Sequence, residues 1–271
     1  MLKPHQQKLQ QILKQRLAKV LFVPDSHHPY NDEQAWNVML EAAKGFKPDI
    51  VVVLGDFIDC YAISAHQKDL KKRPSFEEEI ESGSLALKSL EDLKAPIQIY
   101  ICGNHENRLD RALSSEEIRD KLFPLLQSGA IKLQRIPDLL NLEKRKWDFV
   151  DYKQHYKLGK LHITHDCGKS NATSHMDAEA TFQGNAVIGH SHKLGYSVRG
   201  NMKGEQHVGA MFGWLGDPKE AEYMFYAKAL REWSHGFGIG YLDNEENVYL
   251  VPVPIFNGKC LVEGKLYKLN L

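Results

Sequence analysis

The 271-residue sequence lacks long apolar runs, paired cysteines and an excess of charge of either sign. No run approaches the ~20 apolar residues that a bilayer span needs, and residues 1–14 are polar, unlike the core of a signal peptide. The four cysteines are widely spaced and form no C-x-x-C pair, which argues against a disulfide framework. Because 35 Lys and Arg residues balance 35 Asp and Glu residues, no global positive field attracts nucleic acid. We therefore expect a folded cytoplasmic protein that does not enter a membrane.

Short apolar runs that end in polar residues recur along the first two thirds of the chain. These runs, which are rich in β-branched residues, cover 20–23, 50–54, 97–101, 161–163 and 186–188. Such composition at such lengths favours strands. Helix-like stretches at 34–44 and 77–94 alternate with the first three runs, which predicts a mostly parallel sheet of an α/β fold. The polar residues after the strands should then gather at one edge, where open α/β sheets bind ligands.

The last third of the chain has a different pattern. Glycine-punctuated segments at 205–210, 236–242 and 248–253 have β character and predict a second sheet that faces the first. No linker or repeat divides the sequence, so we expect one domain over residues 1–271. Its parts are an N-terminal helical extension (1–18), a motif-bearing core (19–192), and second-sheet strands with an aromatic C-terminal part (193–271).

Five polar segments follow the apolar runs and carry side chains suited to metal binding. They are Asp25-x-His27, Gly55-Asp56-x-x-Asp59, Gly103-Asn104-His105-Glu106, His165, and Gly189-His190-x-His192. Carboxylate, amide and imidazole ligands suit Mn, Fe, Zn and Ni, and the absence of thiolates from these segments argues against a structural cysteine-type zinc site. In an extended chain, the side chains of residues two positions apart point the same way. Asp25 with His27, and His190 with His192, can therefore each present two ligands. Each segment alone is weak evidence, but together they predict a shared metal site.

The ordered motifs PDSH, GDFID, GNHE, THD and GHSH resemble the calcineurin-like metallophosphoesterase superfamily over residues 19–192. The resemblance implies a four-layer α/β/β/α sandwich with two facing mixed β-sheets. It also implies two divalent metal ions, for which we expect Mn, with Fe, Zn, Ni or Mg as alternatives. The implied ligands of one ion are Asp25, His27 and His192; those of the other are Asn104, His165 and His190; Asp56 bridges both. The layout through Gly236-Phe237 is also similar to compact phosphoesterases encoded by phages and prophages.

The resemblance further implies direct attack on phosphorus by a hydroxide shared between the two ions, whose charge makes such a hydroxide available near neutral pH. His105 would act on the substrate, as a proton donor to the leaving-group oxygen or as a stabiliser of its charge. The alternative role for His105 is an eighth metal ligand. Glu106 or Asp59 could orient His105, and Asp59 could equally be an ordinary turn residue.

Several positions depart from the family pattern. His28 stands where many relatives have glycine, so it is either a substrate contact or a surface histidine. Asp166 follows His165 and places a carboxylate where it could tune or crowd the site. Cys60 and Tyr61 follow the GDFID motif where serine/threonine protein phosphatases continue with Asp-Arg-Gly, and Cys102 stands where those phosphatases usually carry arginine. Since those arginines grip phosphate by paired hydrogen bonds, their absence argues against a protein phosphatase, and Arg108 could replace them only in part.

Basic and aromatic clusters suggest nucleic acid or nucleotide as the phosphate-ester substrate. The basic clusters are Lys68, Lys71, Lys72 and Arg73, and Lys144, Arg145 and Lys146; the aromatic segment 211–233 holds Trp214, Tyr223, Phe225, Tyr226 and Trp233 beside Lys228 and Arg231. Such groups suit phosphate contact and base stacking, or else a solvated surface, helix packing or a subunit contact. We therefore expect a phosphodiesterase or nuclease. The alternatives are a phosphomonoesterase or protein phosphatase and, from another class, a noncatalytic metal-binding scaffold.

Overall fold

Two mixed β-sheets organise the residues that the computed structural model describes, which are 4–64, 75–116, 124–125, 127–129, 132–220 and 232–269. The first sheet contains β1 (Ala18–Val23), β2 (Ile50–Val53), β3 (Ile97–Ile101), β4 (Asp148–Val150), β10 (Gly236–Leu242) and β11 (Val248–Pro254). Their order is β11-β10-β1-β2-β3-β4. Strands β1 to β4 are parallel, and β10 and β11 extend the sheet antiparallel beside β1. The parallel arrangement predicted for the first three runs is confirmed.

The second sheet contains β5 (Tyr156–Leu158), β6 (Leu161–Thr164), β7 (Asn185–Ile188), β8 (Leu194–Gly200) and β9 (Gln206–Phe212). Their order is β5-β6-β7-β9-β8, with β6, β7 and β9 parallel. The C-terminal segments 236–242 and 248–253 were expected in this sheet, but they form β10 and β11 of the first one. A short hairpin, β12 (Lys259–Val262) and β13 (Lys265–Lys268), packs against the helix Glu33–Phe46.

Helices cover the outer faces of both sheets, and the N-terminal helix contributes Leu9 and Leu13 to the cluster between them. The described α-helices are α1 (Pro4–Leu13), α2 (Glu33–Phe46), α3 (Phe76–Glu91), α4 (Asn107–Leu113), α5 (Ile136–Leu139) and α6 (Ser174–Phe182). Helix α2 starts where the Asp32 carboxylate accepts a hydrogen bond from the Ala35 amide (2.8 Å), and α3 starts with a capping box between Ser75 and Glu78, so both satisfy free amides of a first turn. The N-terminal helix is shorter than expected, because Ala18 already belongs to β1.

The core explains the layered arrangement. Along β1, Leu21 and Val23 pack against α2 and α3, whereas Val20 and Phe22 pack against the second sheet; this alternation follows from the pleat of a strand. The Phe22 and Phe212 rings meet between the sheets, with centroids 5.1 Å apart. A smaller cluster places α6 on the second sheet. The expected four-layer α/β/β/α sandwich is therefore confirmed. No helix within the described ranges has the length and apolarity of a membrane span.

Candidate metal centre

The predicted metal ligands follow strands of both sheets and meet between them. Asp25, Asp56 and Asn104 follow the adjacent parallel strands β1, β2 and β3. His165 follows β6, and the His190–His192 segment follows β7. The carboxyl ends of parallel strands lie at one edge of a sheet, so the two sheets bring their ligand candidates to a common rim.

One cluster contains Asp25, His27, Asp56 and His192, which offer ligand atoms within 4.8 Å of one another. His27 Nε2 lies 3.1 Å from His192 Nε2. The same His192 nitrogen lies 3.1 Å from Asp25 Oδ2. These side chains are buried, so their polar atoms face one another rather than bulk solvent.

A second cluster contains Asp56, His165 and His190. His165 Nε2 lies 3.4 Å from Asp56 Oδ2 and 2.9 Å from Asn104 Oδ1. The other ring nitrogen of His165 lies 2.8 Å from the Leu54 carbonyl oxygen, to which an N–H there donates. Asp56 belongs to both clusters, which is the position that a bridging carboxylate requires.

The donor set fits divalent cations. Asp25 Oδ2 is buried and forms no well-directed hydrogen bond with the described residues, although His192 Nε2 lies 3.1 Å away; a buried, unsatisfied carboxylate oxygen is costly. Because His27 donates from Nδ1 to the Asp59 carboxylate, its Nε2 presents a lone pair toward His192 Nε2. A cation shared by these three side chains satisfies all of them with ligands that suit Mn, Fe or Zn.

Burial and neighbouring charges act in opposite directions on the ionisable groups of the centre. Burial disfavours charge on both Asp56 and His165. The surrounding histidines nevertheless hold the pKa of Asp56 well below its usual range, and the Asp56 and Asp25 carboxylates raise the pKa of His165 to about 10. Burial lowers the pKa of His192 to about 4 despite its contact with Asp25. Histidine binds a metal as the neutral imidazole; the lowered pKa of His192 favours that form, whereas His165 must lose a proton to bind.

Four ligand candidates adopt the left-handed backbone conformation, which is costly for residues with a Cβ. Their φ angles are 53° for His27, 46° for Asp56, 64° for His190 and 57° for His192. The surrounding chain holds them: the His27 amide donates to the Asp56 carbonyl (2.9 Å), and the His190 amide donates to Asp25 Oδ1 (3.1 Å). The sequence contains no signal of this strain, because left-handed conformations are expected at glycine.

His105 lies beside the second cluster. Its amide donates to Asp56 Oδ1 (2.8 Å), and its Nδ1–H donates to the Asp59 carbonyl oxygen (2.8 Å). Burial opposes charge on the ring, but Asp56 and Asp59 raise its pKa to about 9. Arg108 Nη2 lies 3.1 Å from His105 Nε2. His105 thus has the place of a proton donor and a pKa that favours the charged ring, although the Arg108 guanidinium beside Nε2 opposes that charge. His105 also shares a third cluster with His27 and Asp59.

Asp59 connects a metal-ligand candidate to this histidine. Its Oδ2 accepts from His27 Nδ1 (3.0 Å) and lies 3.4 Å from His105 Nδ1. Burial opposes ionisation, but the two histidines hold the pKa of Asp59 well below its usual range. A carboxylate on the far nitrogen of a ligating histidine fixes the ring so that the other nitrogen faces the metal. This geometry favours the supporting role over the ordinary turn residue.

Glu106 has a different place from the one expected. Its Oε1 accepts from the amides of Phe57 (2.7 Å) and Ile58 (3.1 Å) and from the Tyr100 hydroxyl (2.9 Å). Its Oε2 accepts from the amides of Asp56 (3.0 Å) and Gly103 (3.0 Å). Burial raises the pKa of this carboxyl, against the effect of the backbone amides. Glu106 therefore holds the Asp56 loop (residues 55–59), and we do not retain it as the residue that orients His105.

His28 and Asp166 differ from the other candidates. His28 is only 3% exposed, and its ring packs on Trp36 and Phe57 with centroids 4.7 and 4.9 Å away; burial lowers its pKa to about 3. The surface position expected for it is wrong, and we no longer propose a substrate contact. Asp166 Oδ1 accepts from the Gly168 amide (2.8 Å), so this carboxylate stabilises the loop after β6.

A pocket of about 210 Å³ opens onto the centre. It is lined by Asp56, Asn104, His105, Ser170, His190, Ser191, His192 and Trp233. Trp214 lies behind it, stacked on His192 with centroids 5.1 Å apart and planes at 13°. Within the described part of the 211–233 segment, Trp214 and Trp233 are the aromatic residues that contact the site. The other aromatic and basic candidates named in that segment lie outside the described residues, as do Lys68, Lys71, Lys72 and Arg73.

The second basic cluster belongs to the fold. Arg145 pairs with Glu91 on α3 (3.0 Å) and donates to the Ser84 hydroxyl (2.5 Å). Trp147 also donates to Glu91 (3.0 Å). Arg145 therefore connects α3 to the segment before β4, whereas Lys144 and Lys146 are exposed; this agrees with a solvated surface around a structural arginine.

Relatives from a virus and from cellular organisms resemble the chain at low identity. The "Gene 54 protein" of Mycobacterium phage L5 is 22% identical over 273 residues, which cover 93% of this chain and 99% of that protein. This agrees with the expected likeness to phage proteins. Vacuolar Protein Sorting 29 from Cryptosporidium parvum matches in structure with a TM-score of 0.48 and 14% identity, over 93% of this chain and 99% of that one. A dimetal phosphatase from Danio rerio matches with a TM-score of 0.42 and 11% identity, over 87% and 98%. At these values the structural likenesses carry no argument about function.

The family assignment rests on the motif-bearing part of the chain. The model of the calcineurin-like phosphoesterase family matches residues 18–194, which is more than half of the 271 residues. This span starts at β1 and ends just after His192, so it includes both ligand clusters. The chain therefore belongs to the calcineurin-like phosphoesterase family.

Proposed function

We propose that this protein is a binuclear metal-dependent phosphodiesterase that hydrolyses nucleic acid or nucleotide esters. The observation that carries the proposal is the shared position of Asp56, whose carboxylate belongs to two adjacent clusters of ligand atoms. The residues proposed to hold one ion are Asp25, His27, Asp56 and His192, and those proposed to hold the other are Asp56, Asn104, His165 and His190. We expect Mn at this centre. Divalent ions held there would supply Lewis acidity.

The side chains around the pocket suit hydrolysis of a phosphate ester. When water adds to phosphorus and the ester P–O bond breaks, the departing oxygen needs a proton. His105 has a raised pKa and lines the pocket, so it can supply that proton as a general acid. Arg108, beside His105 Nε2, can stabilise negative charge on the phosphate. Asp59 keeps both His105 and His27 in place.

The residues at positions 60 and 102 support a phosphodiester over a phosphoprotein substrate. Cys60 and Cys102 are both buried, so neither position offers a cationic group to the phosphate. Arg108 is then the arginine placed next to His105. A phosphate dianion on a protein side chain requires more cationic contacts than a diester monoanion does, and this argues for the less highly charged substrate.

The test compares hydrolysis of bis-p-nitrophenyl phosphate with hydrolysis of p-nitrophenyl phosphate, with added Mn and with chelator. We expect chelator-sensitive cleavage that prefers the diester and is lost in Asp56→Asn. Asp151→Asn, at an exposed carboxylate paired with Arg135, is the matched control and should retain activity. Preference for the monoester would replace the diester proposal with a phosphomonoesterase, and a phosphopeptide panel would then test a protein phosphatase.

The alternative class is a noncatalytic metal-binding scaffold. The arrangement of the ligand candidates argues against it, because a scaffold has no need for a histidine of raised pKa beside a shared carboxylate. Absence of hydrolysis of both esters by the metal-loaded protein, with bound metal verified by elemental analysis, would favour the scaffold.

A further inference from the structure

One wall of the pocket is aromatic. Trp233 is half-buried and lines the same pocket as Asp56, Asn104 and His105. The neighbouring Trp214 is 2% exposed and stacks on His192, so Trp214 serves packing, whereas part of the Trp233 indole borders the space where a substrate would lie.

The Trp233 ring is held in a defined place. Its centroid lies 4.2 Å from that of His192, with planes at 80°, and 4.8 Å from that of Trp214, with planes at 68°. The following residue, Ser234, donates its amide to the His192 carbonyl (3.0 Å) and accepts from the Trp214 amide (3.1 Å). The indole is therefore fixed relative to a proposed metal ligand.

A buried lysine connects this wall to a second one. Lys193 Nζ lies 2.8 Å from the Glu232 carboxylate, and the Lys193 side chain is only 11% exposed. The same ammonium donates to the Ser170 carbonyl oxygen (3.1 Å), and Ser170 also lines the pocket. A pocket wall held in this way binds a flat group with little loss of conformational entropy on binding.

We propose that Trp233 forms a stacking subsite for the nucleobase of a nucleotide ester whose phosphate lies at the metal centre. This inference rests on the proposed function and specifies its substrate class. An indole that lines the pocket is suited to stack on a base, and stacking of this kind depends little on base identity. The subsite should therefore favour substrates with a base over substrates with sugar and phosphate alone, without strong sequence preference.

The test measures binding rather than turnover, by isothermal titration calorimetry on the metal-loaded protein. Adenosine 5′-monophosphate and ribose 5-phosphate carry the same phosphate on the same sugar and differ by the base. The parent should bind the nucleotide more tightly, and Trp233→Leu should weaken nucleotide binding by roughly 5-fold or more, the range for loss of one stacked base. Its affinity for ribose 5-phosphate should not change. Trp233→Phe, which keeps an aromatic face, should restore part of the difference, and Tyr249→Leu, at an aromatic residue that is 55% exposed, is the control.

Different failures have different meanings. Equal affinity of the parent for the two ligands, or equal weakening of both by Trp233→Leu, would overturn the stacking subsite and leave the phosphodiesterase proposal intact. If the parent bound neither adenosine 5′-monophosphate nor ribose 5-phosphate and hydrolysed no ester, both the proposed function and this inference would be refuted.

Discussion

Replacement of Glu106 by glutamine should separate the role of the Asp56 loop from that of the metal ligands. The change keeps the shape of the side chain but turns one carboxylate oxygen into an NH₂ group. If that group takes the Oε2 position, it faces the amides of Asp56 and Gly103, which then lose the acceptor they contact at 3.0 Å. A hydrogen bond to a charged group contributes ~1.5–3 kcal/mol, so two lost bonds should cost about 3–6 kcal/mol. This is a large share of the ~5–15 kcal/mol by which domains are stable.

The loss should also appear at the metal centre. Asp56 is proposed to touch both ions, and disturbance of groups that support a ligand typically weakens metal binding by roughly 10- to 100-fold. The assays are urea unfolding of the metal-free protein and Mn binding by isothermal titration calorimetry. The matched control is Asp49→Asn, because Asp49 is also a buried carboxylate, bonded to Arg16 (2.6 Å) and the Lys19 amide (2.9 Å), but it lies at the opposite end of β2.

The comparison of Glu106→Gln with Asp49→Asn can contradict this prediction in two ways. We expect both variants to be less stable, and only Glu106→Gln to bind Mn more weakly. If Glu106→Gln unfolded at the same urea concentration as the parent and bound Mn equally well, the five hydrogen bonds of Glu106 would have no role in placing Asp56. If Asp49→Asn weakened Mn binding to the same extent, the effect would be a general consequence of lower stability.

Three further predictions concern pH, packing and metal. Burial raises the pKa of Glu79 to about 7 from the 4.5 of an exposed Glu. The contribution of protonated Glu79 to stability is therefore complete below pH ~4.5 and is lost as the pH rises to ~7. The unfolding free energy of Glu79→Gln relative to the parent should rise by at most about 3 kcal/mol over that window, and a difference that does not change with pH would refute the raised pKa. Gly103→Ala places a Cβ 2.1 Å from the Asp56 nitrogen and should lower kcat for the diester by about 100-fold, while Gly200→Ala, whose nearest neighbour is 3.8 Å away, should retain activity. Mn at about 100 times its Kd should stabilise the parent by ~2.7 kcal/mol for each bound ion in thermal unfolding. Asp25→Asn should lose the share of one ion, and an undiminished gain in that variant would show that Asp25 holds no ion.

Part of the fold could be predicted from local pattern. The β-branched runs at 20–23, 50–54 and 97–101 form three parallel neighbours, because strands buried on both faces must be apolar throughout. Strand β8 was not predicted, since its side chains alternate between half-buried and exposed at the edge of a sheet and its composition gives no clear signal. Nor could local pattern assign β10 to the first sheet, because its pairing with β1 joins residues more than 200 positions apart.

The candidate site divides in the same way. The sequence by itself determined the types and order of the ligand candidates, because Asp, Asn and His after short strands have few other reasons to recur. Only the tertiary structure decided which of them meet, that Glu106 holds the Asp56 loop, and that His28 packs in an aromatic core. The physical reason is that residue type fixes the chemistry of a donor atom, whereas its neighbours and its hydration depend on how two sheets, distant in sequence, pack face to face.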